Sequence, residues 1–195
     1  MKRTLDATGL RCPLPVLETK KALREMHEGQ LEVIVDNLTS LQNLEKMAKQ
    51  LGLSYELQPG SEDRHSIVIT VSGEVSEKAE PSAAGSTVVV LSSDQMGAGD
   101  PELGRLLMRS FIYALAELEE PPRKVLLYNS GVKLAVEGAE TLADLCRLAE
   151  RGVEILSCGT CLNFFNLADK LGVGSVTNMY EILASQLAAG RIVRP

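Results

Sequence analysis

The chain has 195 residues, 45% of them hydrophobic, with a formal net charge of −6, four cysteines and no tryptophan. That is enough apolar material for one large or two small cores, and the acidic balance excludes a general nucleic-acid or anionic-membrane surface. No apolar run approaches bilayer length, and Met1-Lys2-Arg3 is not followed by a signal-type apolar region, so a cytoplasmic location with reduced thiols is expected.

Arg3–Ala7 reads as a strand. Over residues 15–26, Val16, Leu17, Ala22, Leu23 and Met26 recur at helical spacing, and Gly29 is the expected stop. Leu31–Asp36 alternates as a strand does. Residues 37–50 read as a second helix, with Thr39 or Ser40 as candidate caps. Leu53–Gln58 and His65–Val71 read as strands joined by the polar turn 59–63. The order β-α-β-α-β-β implies a two-layer sandwich over residues 1–72. Residues 73–86 are rich in Ser, Ala, Glu, Gly and Pro without apolar periodicity, and read as a flexible linker.

The second unit, 87–195, opens on the β-branched run Thr87-Val88-Val89-Val90-Leu91, which suits a strand covered on both faces. A glycine-bearing loop follows, then a helix from Pro101 to about Leu118. Next come strand 124–128, loop 129–132, helix 139–150 and strand 153–156. The group Ser157-Cys158-Gly159-Thr160-Cys161 precedes a short helix expected over 163–171. Strand 173–177, helix 179–189 and strand 191–193 complete the chain. Alternating strands and helices imply an α/β fold, here a parallel sheet in a three-layer α/β/α unit. Ligands of such sheets bind at the carboxyl ends of the strands, where Asp94, Asn129, Ser130, Cys158 and Cys161 fall.

Two cysteine groups carry the chemistry. Cys12 stands before a helix start, where unpaired backbone N–H groups favour thiolate, and Pro13 and Pro15 pre-set the first turn. The bland alternative is a cysteine filling a gap beside the sheet, and the prolines weigh against it. Cys158 and Cys161 form a CxxC, which suits redox exchange or half of a zinc site. Further zinc ligands are wanting: Cys146 reads as packed in a helix, and His27 and His65 belong to the other unit. No metal and no cofactor are therefore expected. Gly97-Ala98-Gly99 fits neither the Walker pattern nor the dinucleotide spacing.

Cys12-Pro13-Leu14-Pro15, at a strand end and helix start, resembles the Cys-Pro-x-Pro signature of the TusA/SirA-like sulfur-carrier family. The resemblance implies that Cys12 carries sulfur as a persulfide. Asp6, Gly9 and Arg11 match the family's lead-in, with structural or docking roles. The second unit resembles the DsrE/DsrF-like family. Both units together, with residues 157–162 and 176–180, are similar to the YedF family of selenium-metabolism proteins. The implied function is a thiol-based carrier or transferase for activated sulfur or selenium. Cys12 would hold the atom, Cys158 accept it and Cys161 resolve the adduct. Arg11, Asp94, Asn129, Ser130 and Lys133 would bind substrate. Protein donors and acceptors of sulfur or selenium are the expected partners, with a homo-oligomer through the second unit possible and neither nucleic acid nor membrane involved. The alternative is a non-catalytic binding or redox-sensing module acting through the second unit.

Overall fold

The computed structural model describes residues 2–10, 13–58, 60, 64–72 and 86–195. The chain divides into two compact units, Met1–Pro81 and Ser82–Pro195. Of the expected linker 73–86, only Ser86 is among the described residues, and the polar turn 59–63 is described only at Gly60.

The first unit runs β1 (Lys2–Asp6), α1 (Leu14–Arg24), β2 (Glu28–Val35), α2 (Leu38–Gln50), β3 (Ser54–Gln58) and β4 (His65–Ser72). Its sheet has the order β1-β2-β4-β3. β1 and β2 are parallel, and β4 is antiparallel to both its neighbours. In β2, Leu31, Val33 and Val35 are fully buried while Glu32 and Ile34 between them are half-exposed. Only one face is therefore covered, which is the two-layer sandwich that the alternating pattern implies. Leu23 of α1 and Leu44 and Met47 of α2 fill that face together with Ile67 and Ile69 of β4. Two boundaries differ from expectation. Gly29 lies inside β2, because β4 pairs with β2 as far as Glu28↔Ser72 and draws those residues into the sheet. The cap of α2 is Asn37, whose side-chain oxygen accepts the Ser40 N–H at 2.8 Å.

The second unit runs β5 (Thr87–Leu91), α3 (Pro101–Glu117), β6 (Lys124–Leu127), a 3-10 segment (Asn129–Ala135), α4 (Leu142–Glu150), β7 (Glu154–Cys158), α5 (Gly159–Phe164), a 3-10 turn (Ala168–Lys170), β8 (Ser175–Thr177), α6 (Met179–Ala188) and β9 (Arg191–Val193). All neighbours in the order β8-β7-β6-β5-β9 are parallel. Val88 to Leu91 and all of β6 are buried, so both faces of the central strands are covered and the unit is a three-layer α/β/α domain. Even Lys124 is buried there, its ammonium 3.0 Å from the Glu154 carboxylate on the adjacent strand.

Two segments after the strands differ from expectation. Residues 129–132 are not a loop but the start of the 3-10 segment. The helix after the CxxC begins at Gly159, directly off β7, which puts Cys161 in its first turn. That helix stops at Phe164 because Asn166 takes a left-handed conformation, φ 55°, which an α-helix cannot continue through. Among the described residues no helix is long and apolar enough to cross a membrane.

Candidate functional site

In the first unit, Arg11 and Cys12 lie outside the described residues. The chain on either side of them is tightly specified. β1 ends at Asp6, whose Oδ1 accepts the Thr8 N–H at 3.0 Å and the Thr8 hydroxyl at 2.7 Å. Gly9 then turns with φ 73°, a conformation that favours glycine, and its N–H donates to Asp36 Oδ2 at 2.7 Å. The Thr8 amide and hydroxyl hold the Asp6 carboxyl below the ordinary carboxylate range. The Gly9 amide does the same for Asp36, helped by the Asn37 side chain. Two carboxylates at the carboxyl ends of parallel strands thus fix the approach to position 12. On its far side Pro13 stands at the cap of α1 and Pro15 is buried in its first turn.

In the second unit, the ends of three parallel strands bring the expected residues together. Tyr128 N–H donates to the Leu91 carbonyl at 3.2 Å, joining the end of β6 to that of β5. Gly131 packs so closely that a Cβ there would lie 2.0 Å from the same carbonyl oxygen, so the 3-10 segment can rest on β5 only with glycine at this place. Ser130 Oγ accepts the Asp94 N–H at 3.2 Å, tying the segment to the loop after β5. On the other side the segment meets α5. Asn129, in a left-handed conformation with φ 51°, directs its backbone N–H onto Cys161 Sγ at 3.1 Å. The Lys133 ammonium lies 4.6 Å from the centroid of the Phe165 ring and 4.0 Å from Asp94 Oδ2. Asp94, Asn129, Ser130, Lys133 and Cys161 therefore form one cluster.

Cys158 and Cys161 differ sharply in setting. Cys158 ends β7 at 2% exposure and belongs to the apolar core, whereas Cys161 is half-buried at the rim. Cys146, expected to be packed in its helix, is half-buried on α4. Among the described residues no group of three or more His, Cys, Asp or Glu is placed to hold a metal ion. Sequence reasoning missed two participants. Asp36 was read as the last residue of a strand, and its bond to Gly9 spans 27 positions. Phe165 sits four residues after Cys161, a spacing that flags it once α5 is known to start at Gly159.

A family model described as sulfurtransferase TusA matches residues 3–71. A putative sulfur carrier protein of Methanocaldococcus jannaschii is 46% identical over 68 residues, 34% of this chain and 91% of that protein. A solved SirA-like protein from Desulfitobacterium hafniense is 39% identical, covering 37% of this chain and 99% of that one, with a TM-score of 0.35. A solved protein of unknown function from Methanobacterium thermoautotrophicum covers 56% of this chain and 97% of its own, at 24% identity and a TM-score of 0.44.

Proposed function

This chain belongs to the TusA family through its first unit, and on that ground we propose that it is a thiol-based carrier of activated sulfur, with Cys12 as the carrying residue. The observation that carries the reading is the 46% identity to nearly the whole of a putative sulfur carrier protein. The turn held by Asp6 and Asp36 supports it, because the described chain runs from a strand end to a helix start with position 12 between them in sequence. Arg11 serves partner docking, next to the carrying thiol.

The second unit is the receiving site. The exposure of its two thiols favours Cys161 as acceptor and Cys158 as resolving residue, the reverse of the roles expected from the resemblance. The Cys161 thiolate attacks the outer sulfur of the Cys12 persulfide. The S–S bond to Cys12 breaks, Cys12 leaves as thiolate, and the persulfide now rests on Cys161, with no net oxidation. Attack by Cys158 on the inner sulfur releases hydrosulfide and leaves a Cys158–Cys161 disulfide, which a dithiol reductant returns to two thiols. Asp94, Ser130 and Lys133 line the place where the transferred atom arrives. Similarity of the two-unit arrangement to the YedF family extends the proposal to selenium, which follows the same displacement chemistry through a selenosulfide. A DsrE-like second unit working on protein donors and acceptors in the cytoplasm completes the reading.

The test is peptide-resolved mass spectrometry after incubation with a cysteine desulfurase and cysteine, repeated with selenocysteine in place of cysteine, which delivers selenium at the oxidation level of a persulfide's outer atom. One added chalcogen atom on the peptide containing Cys12, lost in Cys12→Ser, is expected. No gain at Cys12 with either element sinks the carrier reading. A reversible Cys158–Cys161 disulfide formed without any loading would instead favour a redox-sensing module.

A further inference from the structure

We propose that Lys133 and Phe165 are positioning residues for Cys161, acting together to hold the Asn129 amide on its sulfur; this rests on the reading of Cys161 as the receiving thiol. The described contacts of the Lys133 ammonium are with the Phe165 ring and the Asp94 carboxylate, so it acts on the sulfur through Phe165. What they do follows from how the 3-10 segment Asn129–Ala135 is held. Against β5 it is fixed by backbone geometry, through the close seat of Gly131 on the Leu91 carbonyl and the Asp94–Ser130 hydrogen bond. Against α5 the described contacts are different in kind. Leu162 of α5 and Val132 of the segment lie buried in the same apolar core, and two directional contacts are added: the Asn129 N–H on Cys161 Sγ, and the Lys133 ammonium on the ring of Phe165, the residue just past α5.

α5 is only six residues long and ends at Phe164, so it brings little stiffness of its own. Cys161 and Phe165 stand four residues apart, and the Phe165 N–H closes the last helical bond onto the Cys161 carbonyl at 3.1 Å. A displacement of Phe165 is therefore a displacement of Cys161. The ammonium over the ring, steadied by the Asp94 carboxylate at 4.0 Å, is the directional contact nearest Cys161 that does not involve the sulfur being modified. Apolar packing sets the segments side by side but not the direction of the Asn129 amide, and the cation–ring contact adds that direction when the sulfur carries another atom. A small loss of register matters: a misplacement of about 1 Å costs transfer on the order of a hundredfold in rate.

The experiment uses the full chain in the reduced state. The reference for a broken contact is the Asn129 amide resonance in Cys161→Ala, which lacks the sulfur. In Lys133→Met and Phe165→Leu the Asn129 resonance moves toward that position. Lys133→Arg keeps a cation over the ring and Phe165→Tyr keeps the ring, so both stay with the parent. A role confined to stability would not distinguish Lys133→Arg from Lys133→Met on an exposed lysine. An unmoved Asn129 resonance in both Lys133→Met and Phe165→Leu overturns the proposal, as does Lys133→Arg behaving like Lys133→Met. Loading of Cys161 in the parent is followed in parallel. Absence of loading there, with the resonance shifts as expected, overturns the receiving-thiol reading and leaves the clamp as architecture only.

Discussion

Replacing Gly131 by alanine puts one methyl group where the structure has no room. Its Cβ would lie 2.0 Å from the Leu91 carbonyl oxygen, 2.8 Å from the carbonyl carbon and 3.3 Å from the Ser93 nitrogen. All three are backbone atoms, so no side chain can swing away. Real Cβ contacts stay beyond 3.0 Å, so the 3-10 segment must retreat by about 1 Å or the end of β5 must give. Overpacking of this kind costs about 1–3 kcal/mol. The Leu91 oxygen also accepts the Tyr128 N–H at 3.2 Å, and disturbing that bond adds about 1 kcal/mol. The expected loss is about 2–4 kcal/mol, a large part of the ~5–15 kcal/mol that stabilises a typical domain. Gly99→Ala is the control, since nothing lies within 4 Å of a Cβ there. Urea unfolding followed by circular dichroism reads both. Equal midpoints for Gly131→Ala and Gly99→Ala would refute the reasoning, because the seat on β5 would then be loose.

Asp36→Ala removes the acceptor of the Gly9 amide and should destabilise the first unit by about 1 kcal/mol, toward the low end for a charge-assisted bond because the carboxylate is partly exposed; a denaturant midpoint checks it. The pH dependence has a definite sign. Asp6 and Asp36 are both held below the ordinary carboxylate value of 3.8, so their contribution is fully present above that pH and is lost as pH falls through their lower folded values. The Gly9 amide resonance should therefore stay put on acidification to pH 4 and move only below it; a midpoint above 4 contradicts the assignment.

The architecture was legible where burial dictates pattern. The run Thr87–Leu91 announced a strand covered on both faces, and the alternation in residues 31–36 announced one covered on a single face. The gathering of Asp94, Asn129, Ser130 and Cys161 followed from the rule that places sites at the carboxyl ends of parallel strands. What stayed hidden depends on directions rather than positions. The Asn129 amide reaches Cys161 only because φ is 51°, and no composition rule reports which way a backbone N–H points. Phe165 escaped because it acquires meaning only from a helix boundary, and boundaries are set by contacts outside the helix. The unequal burial of Cys158 and Cys161 escaped for the same reason: spacing treats the pair as equivalent, while one ends a core strand and the other opens a helix at the rim.

The strand order β8-β7-β6-β5-β9 has a bearing on how the second unit is made. β5 is the first strand of this unit to leave the ribosome and is apolar on both faces, yet one of its edges finds its partner only when Arg191–Val193 has been synthesised, about a hundred residues later. Throughout translation of this unit, a row of unpaired backbone groups on a valine-rich strand stays open to neighbouring nascent chains. Three residues of β9 thus act as the late closure of an apolar strand edge, a task that gives this short strand importance beyond the few hydrogen bonds it adds.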